Sequence, residues 1–249
     1  MNNIKAIFIK QFVTQIKVPS IIVMGILFLV MAVVLVFLIG EDEDYDCDVC
    51  VPAYVCVPCE EREEARFRPP IPSGVGMFTI LFVGLALIGS ASAVVTEDKT
   101  TKNLQFMSMA EVKPYQYLLG TLPSLTIIVA VILVFYALAG GYFGVDMIRF
   151  VGICLAGGIV SILFGIVIGL SRVPILATPI SIMLGLGHTF SYHNETLANI
   201  LRFTFIQQVN IGIAELDGDL TSNFVVIGIN GLVLLLVFIF MHRKNKFNL

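Results

Sequence analysis

Six stretches of the chain contain no charged residue over 22 or more consecutive positions, and they constrain the fold more than any other feature. About 20 apolar residues let one helix cross the hydrocarbon core of a bilayer. Because 57% of the 249 residues are hydrophobic and only 13% are charged, a soluble domain would expose large apolar patches, and a disordered chain would be far less apolar. The sequence therefore predicts an all-α, polytopic membrane protein with a single transmembrane domain over 1–249.

The predicted transmembrane helices cover 18–40, 72–96, 115–141, 148–171, 173–190 and 220–242. Between the last two, the uncharged run 203–214 has 12 residues and is too short to span, so an outer re-entrant segment is predicted within 195–219. With the N-terminus inside, ten Lys and Arg residues fall on the inner side and five on the outer side. This distribution predicts a plasma-membrane protein with both termini in the cytoplasm.

The first 17 residues precede the first predicted span and repeat apolar residues at helical spacing. Ile4, Phe8, Phe12 and Ile16 recur every four residues, and Ile7 joins their face. Lysines lie on the other faces, so residues 1–17 predict an amphipathic interfacial helix. The alternative is a positively charged flank that only sets the topology.

An acidic insert, predicted to be an extracellular loop over 41–71, follows the first span. It contains ten acidic and three basic residues, a net charge of −7, which leaves +4 for the rest of a chain with net charge −3. It also contains two CxxC pairs. On the oxidising side these cysteines predict disulfides, and a metal site is the alternative. The residues concerned are Cys47, Cys50, Cys56 and Cys59.

The interiors of the predicted spans contain small residues but no Asp, Glu, Lys or Arg. Ionisable groups inside a membrane normally mark ion or proton pathways, so a proton-coupled pump is disfavoured. We predict no catalytic residue and no resident metal. One stripe of the fourth span would let helices approach closely, either within the chain or at a subunit interface. Its members are Gly157, Ser161, Gly165 and Gly169.

The segment 97–114, between the second and third spans, predicts a short cytoplasmic helix. Glu97 and Asp98 are expected at its N-terminus, where the helix dipole favours acidic residues. Leu104, Phe106 and Met107 form an apolar patch in its centre. Such a patch predicts a docking surface, and the alternative is a helix that lies on the membrane surface.

The acidic start and apolar centre of this segment are followed by Tyr117-Leu118-Leu119-Gly120. This pattern resembles the coupling helix of the small six-span permeases of ATP-binding-cassette exporters, the type-two ABC exporters. The sequence departs from the family pattern at Lys102-Asn103, where the family has Gly-Thr. Because the topology also agrees over the whole chain, the resemblance covers more than this segment.

The resemblance implies that a separate cytoplasmic ATPase, which binds ATP and Mg, drives this chain. A second copy of the chain, or a similar permease, would complete the pore. The cargo would be amphipathic, such as a peptide, a peptide antibiotic or a toxin, and the other partner is membrane lipid rather than nucleic acid. The chain has no GxxxxGK[ST] pattern, so we expect it to be no enzyme and to bind no cofactor. The implied ATPase-docking residues are Glu97, Asp98, Leu104, Phe106 and Met107.

A second hypothesis comes from a different functional class. The chain would be a membrane-anchored immunity or sensor protein whose acidic, cysteine-rich outer loop binds a ligand. This hypothesis predicts that the isolated, oxidised loop peptide binds that ligand alone, whereas the exporter hypothesis predicts an ATPase partner.

Overall fold

The computed structural model of the chain describes residues 2–17, 20–39, 74–109, 112–171, 173–191, 195–216 and 218–245. These residues form helices and connecting turns without any strand among them, which confirms the all-α fold class. The predicted outer loop 41–71 and its four cysteines lie outside the described residues. The helices of the described ranges are α1 Asn2–Lys17, α2 Ser20–Ile39, α3 Gly74–Leu81, a π-helical turn Phe82–Ala86, α4 Leu87–Thr100, α5 Asn103–Met109, α6 Pro114–Ala139, α7 Val145–Leu170, a 3-10 turn Pro174–Leu176, α8 Ala177–Ser191, α9 Glu195–Leu201, α10 Phe205–Ala214 and α11 Thr221–Asn245.

Four stretches of the described chain are long and apolar enough to cross a membrane, judged by length and composition. The predicted first span, 18–40, corresponds to α2, which passes the same test only together with α1, at a bend of 48° between the two helices. The predicted fifth span is represented by the shorter apolar helix Pro174–Gly187. The helices therefore agree with a multi-pass membrane protein. The four long stretches are Gly74–Thr100, Tyr115–Ala139, Val145–Leu170 and Thr221–Met241.

The span formed by α3, the π-helical turn and α4 lies at the centre of the bundle, and α11 lies at its edge. In the most apolar 18-residue stretch of Gly74–Thr100, 83% is buried inside the protein, whereas in that of Thr221–Met241 only 11% is buried. The π-helical turn is crossed by α8 at a point where both helices carry glycine. A Cβ at Gly84 would lie 3.1 Å from the Cα of Gly185, so the two glycines let these helices approach more closely than residues with side chains would.

The predicted small-residue stripe packs inside the chain. A Cβ at Gly165 would lie 2.5 Å from the carbonyl oxygen of Ile88, and one at Gly169 would lie 2.8 Å from the Cβ of Val95. These two glycines therefore bring α7 against α4, while Gly157 faces Val209 of α10. Ser161 is fully buried between them. Of the two interpretations of the stripe, the structure supports packing within one chain.

The N-terminal helix α1 packs along the first half of α6. Ile7 is buried, and its Cγ2 would lie 2.6 Å from a Cβ at Gly120. The buried face of α1 continues through Gln11 and Gln15. The predicted apolar face is only partly covered by the bundle, because Phe12 packs against the core while Ile16 is 57% exposed. Gln11 is buried there by pairing with a polar group of another helix, described below.

The connection from α7 to α11 crosses the bundle from one end to the other. At the end that carries α5, which we name the α5 end, Lys99 Nζ donates to the carbonyl oxygen of Ser171 at 2.8 Å. At the opposite end, Arg149 Nη1 donates to the carbonyl oxygen of Leu216 at 2.8 Å. Since Ser171 follows α7 and Leu216 precedes α11, the segment between them must return across the bundle.

The turn between α9 and α10 lies near the middle of the bundle. Asn230 Nδ2 donates to the carbonyl oxygen of Phe203 at 3.0 Å, and Asn230 is about 14 Å along α11 from its start, at 1.5 Å per residue. The Cδ1 of Ile206 would lie 2.9 Å from a Cβ at Gly84, a residue about 15 Å along its own span. From this turn, α10 runs to the opposite end of the bundle.

The start of α11 is defined by a side-chain hydrogen bond in the loop before it. The backbone N–H of Thr221 donates to Asp219 Oδ1 at 2.9 Å. Hydrogen bonds from the side chain and the backbone of Thr221 lower the pKa of Asp219. This acidic residue therefore serves as a helix start, where a carboxylate is favoured by the unsatisfied amides and the dipole.

Candidate functional site

The candidate site lies at the α5 end, where α1, α4, α5 and α6 meet. The sequence predicted Glu97 and Asp98 at the N-terminus of the short helix, and this prediction is wrong. Helix α4 continues to Thr100, so both acids lie in its last turn, at the end that the helix dipole disfavours. Glu97 is exposed, whereas Asp98 is 5% exposed and paired. The favourable contacts of Asp98 with other helices explain how the acid is retained there.

The carboxylate of Asp98 accepts hydrogen bonds from four side chains. Lys10 Nζ donates to Oδ1 at 2.6 Å, and Gln11 Nε2 donates to Oδ2 at 2.6 Å. Tyr117 Oη donates to Oδ2 at 3.0 Å. Asn103 Nδ2 lies 3.3 Å from Oδ1. A buried charge is tolerated only when paired and hydrogen-bonded, and here a cation and three neutral donors meet that requirement.

The four donors come from three helices, and Asp98 itself belongs to α4, so the cluster joins four helices. Lys10 and Gln11 come from α1, Asn103 begins α5, and Tyr117 lies in the first turn of α6. We name Asp98 and these four donors the Asp98 cluster. Removal of the carboxylate would leave buried donors of α1 and α6 without their acceptor, which is costly in a low-dielectric interior.

The turn from α4 into α5 contains a residue in the left-handed region. Lys102 has φ of 57°, whereas the described residues otherwise show positive φ only at Gly141 and Gly144. Its backbone N–H donates to the carbonyl oxygen of Lys99, and its own carbonyl accepts from Phe106 at 3.1 Å. A side chain makes this conformation unfavourable by about 1–2 kcal/mol, and glycine adopts it without that cost.

Helix α5 has one face that packs on the bundle and one that is exposed. Leu104 is 2% exposed, and Met107 packs against the buried core. Phe106 is 65% exposed and Met109 is 76% exposed. Of the five residues that the resemblance assigned to ATPase docking, Glu97 and Phe106 are therefore on the surface, Met107 is partly covered, and Asp98 and Leu104 are buried.

Sequence reasoning missed the four donors of the Asp98 cluster. Lys10 was read as a residue of a polar face, and the partners of Asp98 on α1 are 87 and 88 positions away in sequence. One available signal was the polar pair Gln11 and Gln15, which follows Ile7 at intervals of four. A helix that interrupts an apolar face with glutamines often buries them against partners on another helix.

The arrangement holds the side chains of the Asp98 cluster in place. The carboxylate oxygens accept from four donors, so the lone pairs of Asp98 are used in hydrogen bonds that join helices. In the described part of the chain, no group of three or more His, Cys, Asp and Glu side chains is placed to hold a metal ion. Of the sequence-predicted sites, the cysteine cluster lies outside the described residues.

Comparison with known proteins adds no family assignment to this geometry. No protein-family model, curated protein or solved structure matches the chain.

Proposed function

We propose that the chain is the permease subunit of an ATP-driven exporter of the type-two ABC class, with a separate cytoplasmic ATPase that docks on α5. The observation that carries this proposal is the construction of α5. Its inner face is anchored by Leu104 and by the Asp98 cluster, while Phe106 and Met109 project at the end of the bundle. Large exposed apolar side chains on an anchored helix suit a partner surface.

The Asp98 cluster supports a mechanical role for α5 in this proposal. Asn103 connects the first turn of α5 to a carboxylate that also contacts Lys10, Gln11 and Tyr117. A displacement of α5 by the ATPase would therefore act on α1, α4 and α6 together. Glu97, Phe106 and Met109 would contact the ATPase, whereas Asp98 and Leu104 would transmit its motion.

The conformation of Lys102 supports the resemblance at a position where the sequences differ. The family pattern has Gly-Thr where this chain has Lys102-Asn103. Lys102 has a positive φ of 57°, a conformation that glycine adopts without steric cost. The backbone of this turn is thus the one expected for the family's glycine, although the side chain is different.

The remaining parts of the proposal concern membrane arrangement and cargo. The α5 end and both termini would face the cytoplasm of a plasma membrane, with α8 as the fifth of six crossings and 195–219 as a re-entrant segment. Two copies of the chain, or one copy with a similar permease, would enclose the path of an amphipathic peptide, antibiotic or toxin. ATP and Mg would bind in the ATPase.

The test is co-expression of tagged chain with the ATPase encoded nearest to it, followed by purification in mild detergent. The native chain should retain the ATPase and increase its rate of ATP hydrolysis. Phe106→Asp and Met109→Asp should each lower ATPase recovery at least five-fold, because a carboxylate would be buried in the apolar contact.

Phe143→Asp is the matched control, because Phe143 is 68% exposed at the opposite end of the bundle. This variant should recover as much ATPase as the native chain. Equal loss in all three variants, or no co-purifying ATPase with the native chain, would contradict the proposal.

A further inference from the structure

Helix α1 presents a second apolar face that the bundle leaves open. Ile9 is 49% exposed, Val13 is 41% exposed and Ile16 is 57% exposed. They follow Lys5, which is also exposed, at intervals of four, four and three residues, so all four side chains lie on one side of the helix. We name these four residues the outer face of α1. A face that joins an apolar stripe to a cation suits a partner that is apolar along its length and anionic at one end.

The outer face of α1 lies at the level where a bilayer changes from head groups to acyl chains. Ile7 contacts α6 at Gly120, about 9 Å along that helix from its start at Pro114. Tyr115, in the first turn, is 51% exposed, and Tyr side chains in membrane proteins favour the head-group level. Interfacial helices bury their apolar side about 5–10 Å into this boundary. The outer face is therefore within reach of both parts of a phospholipid.

The side chains around α1 give the α5 end an excess of positive charge. Lys10 balances the carboxylate of Asp98 at 2.6 Å. Among the other side chains described on α1, α4, α5, α6 and the turns that join them, the charges are four lysines and one glutamate, a net charge of +3. Clustered lysines at a membrane surface attract anionic lipids and hardly distinguish zwitterionic ones. The residues counted are Lys5, Lys99, Lys102, Lys113 and Glu97.

The size of the apolar side chains favours lipid over a second helix as the partner of the outer face. Helices pack closely in a membrane where small residues let their backbones approach, as Gly165 and Gly169 do for α7 and α4. The outer face instead carries the large, branched side chains Ile9, Val13 and Ile16. These side chains hold another backbone at a distance, whereas flexible acyl chains can fill the spaces between them.

We propose that the outer face of α1 binds a phospholipid with a net negative charge. Lys5 would contact the phosphate of the head group, and an acyl chain would lie along Ile9, Val13 and Ile16. The surrounding lysines would raise the local concentration of such lipids. This inference depends on the chain lying in a membrane but not on the ATPase. Failure of the ATPase test therefore leaves it standing.

The experiment places one fluorescent reporter on the outer face of the full chain. The chain contains no tryptophan, so Val13→Trp introduces a single indole whose fluorescence is quenched by brominated acyl chains beside it. The protein is reconstituted in phosphatidylcholine vesicles with about 10% phosphatidylglycerol, with bromine on one lipid or the other. Bromine on phosphatidylglycerol should quench at least about two-fold more than random mixing predicts, because the lysines concentrate that lipid. About 1 M NaCl should remove the excess by screening the charges.

Adding Lys5→Gln to Val13→Trp should lower the excess quenching at least two-fold, and adding Lys5→Arg should preserve it. Leu232→Trp is the matched control, because Leu232 is 60% exposed in the uncharged part of α11. Its quenching should follow random mixing.

If Val13→Trp does not fold, Ile9→Trp takes its place on the same face. Three outcomes would overturn the proposal: random mixing beside the outer face, an excess that Lys5→Gln leaves unchanged, or an equal excess at Leu232→Trp.

Discussion

At the scale of single residues, Asp98 is the most informative position in the described chain. Its side chain is 7% exposed, yet its charge is balanced by Lys10, whose side chain is 39% exposed at the rim of the cluster. The ion pair is therefore only partly withdrawn from water. The contacts with Gln11 and Tyr117 are buried, so they account for most of the expected contribution of Asp98 to stability.

Asp98→Ala should lower the free energy of unfolding by about 2–3 kcal/mol, because buried donors on α1 and α6 lose their acceptor. Thermal unfolding of the purified protein in detergent measures the change. Glu97→Ala is the control, since Glu97 is the adjacent acid and is exposed, and it should change stability by less than about 0.5 kcal/mol. Similar effects of the two substitutions would show that the Asp98 cluster contributes little.

The candidate site was only partly predictable because its residues are joined by tertiary contacts. The sequence indicated a short helix after the second span and an exposed Phe106, since both follow from local charge and apolar pattern. It could not indicate that Asp98 accepts from Gln11, because the polarity of Gln11 says nothing about a partner 87 positions away. The same limit explains why Glu97 and Asp98 were placed in the wrong helix.

At the scale of helices, close backbone approach explains how α7 and α4 pack. Gly165 and Gly169 have no side chains at the positions where α4 passes. Ile88, Ala91 and Val95 of α4 occupy the space that a Cβ would fill. Spacing of small residues at intervals of four predicted this stripe from sequence, because the period of an α-helix brings such positions onto one face. The sequence alone could not tell which helix occupies the stripe.

Gly165→Ala should destabilise the bundle by about 1–3 kcal/mol, because its Cβ would meet the backbone of α4 and force a shift. Gly228→Ala is the matched control on α11, where a Cβ meets nothing within 4 Å. That substitution should be neutral or stabilise the helix by up to about 1 kcal/mol. The comparison is made by thermal unfolding, and equal destabilisation by both changes would contradict the packing described for α7.

The N-terminal helix shows a different limit of sequence reasoning. Its helical extent, Asn2–Lys17, agrees with the predicted segment 1–17. Apolar spacing predicted a face with Ile7, which is buried, but it did not include Gln11, which is buried by its bond to Asp98. Hydrophobic periodicity cannot identify a polar residue that is buried because it is paired.

At the scale of the whole molecule, the positions of the loops give a test of topology. In a cysteine-free background, Thr101→Cys and Phe143→Cys place one exposed thiol at each end of the bundle. An impermeant maleimide added to intact cells should label Phe143→Cys and leave Thr101→Cys unlabelled until lysis. Asp219→Cys should be labelled like Phe143→Cys, because the chain returns across the bundle after Ser171.

Labelling of Thr101→Cys in intact cells, with no labelling of Phe143→Cys, would show that the orientation is the reverse of the proposed one. In either orientation, labelling of Asp219→Cys like Thr101→Cys instead of like Phe143→Cys would contradict the crossing between α7 and α11. Because each position reports separately, the two conclusions are tested independently of each other.

The length of the fifth helix has a consequence for the surrounding lipid. The 3-10 turn and α8 run without a break from Pro174 to Ser191 and span about 27 Å, close to the roughly 30 Å thickness of the bilayer core. Ile175, Ile182 and Met183 are exposed along this length, so lipid chains would contact this wall directly. Because the hydrophobic mismatch is then small, little local thinning of the bilayer would be needed beside α8, and the protein would accept acyl chains of the same length there as around α11.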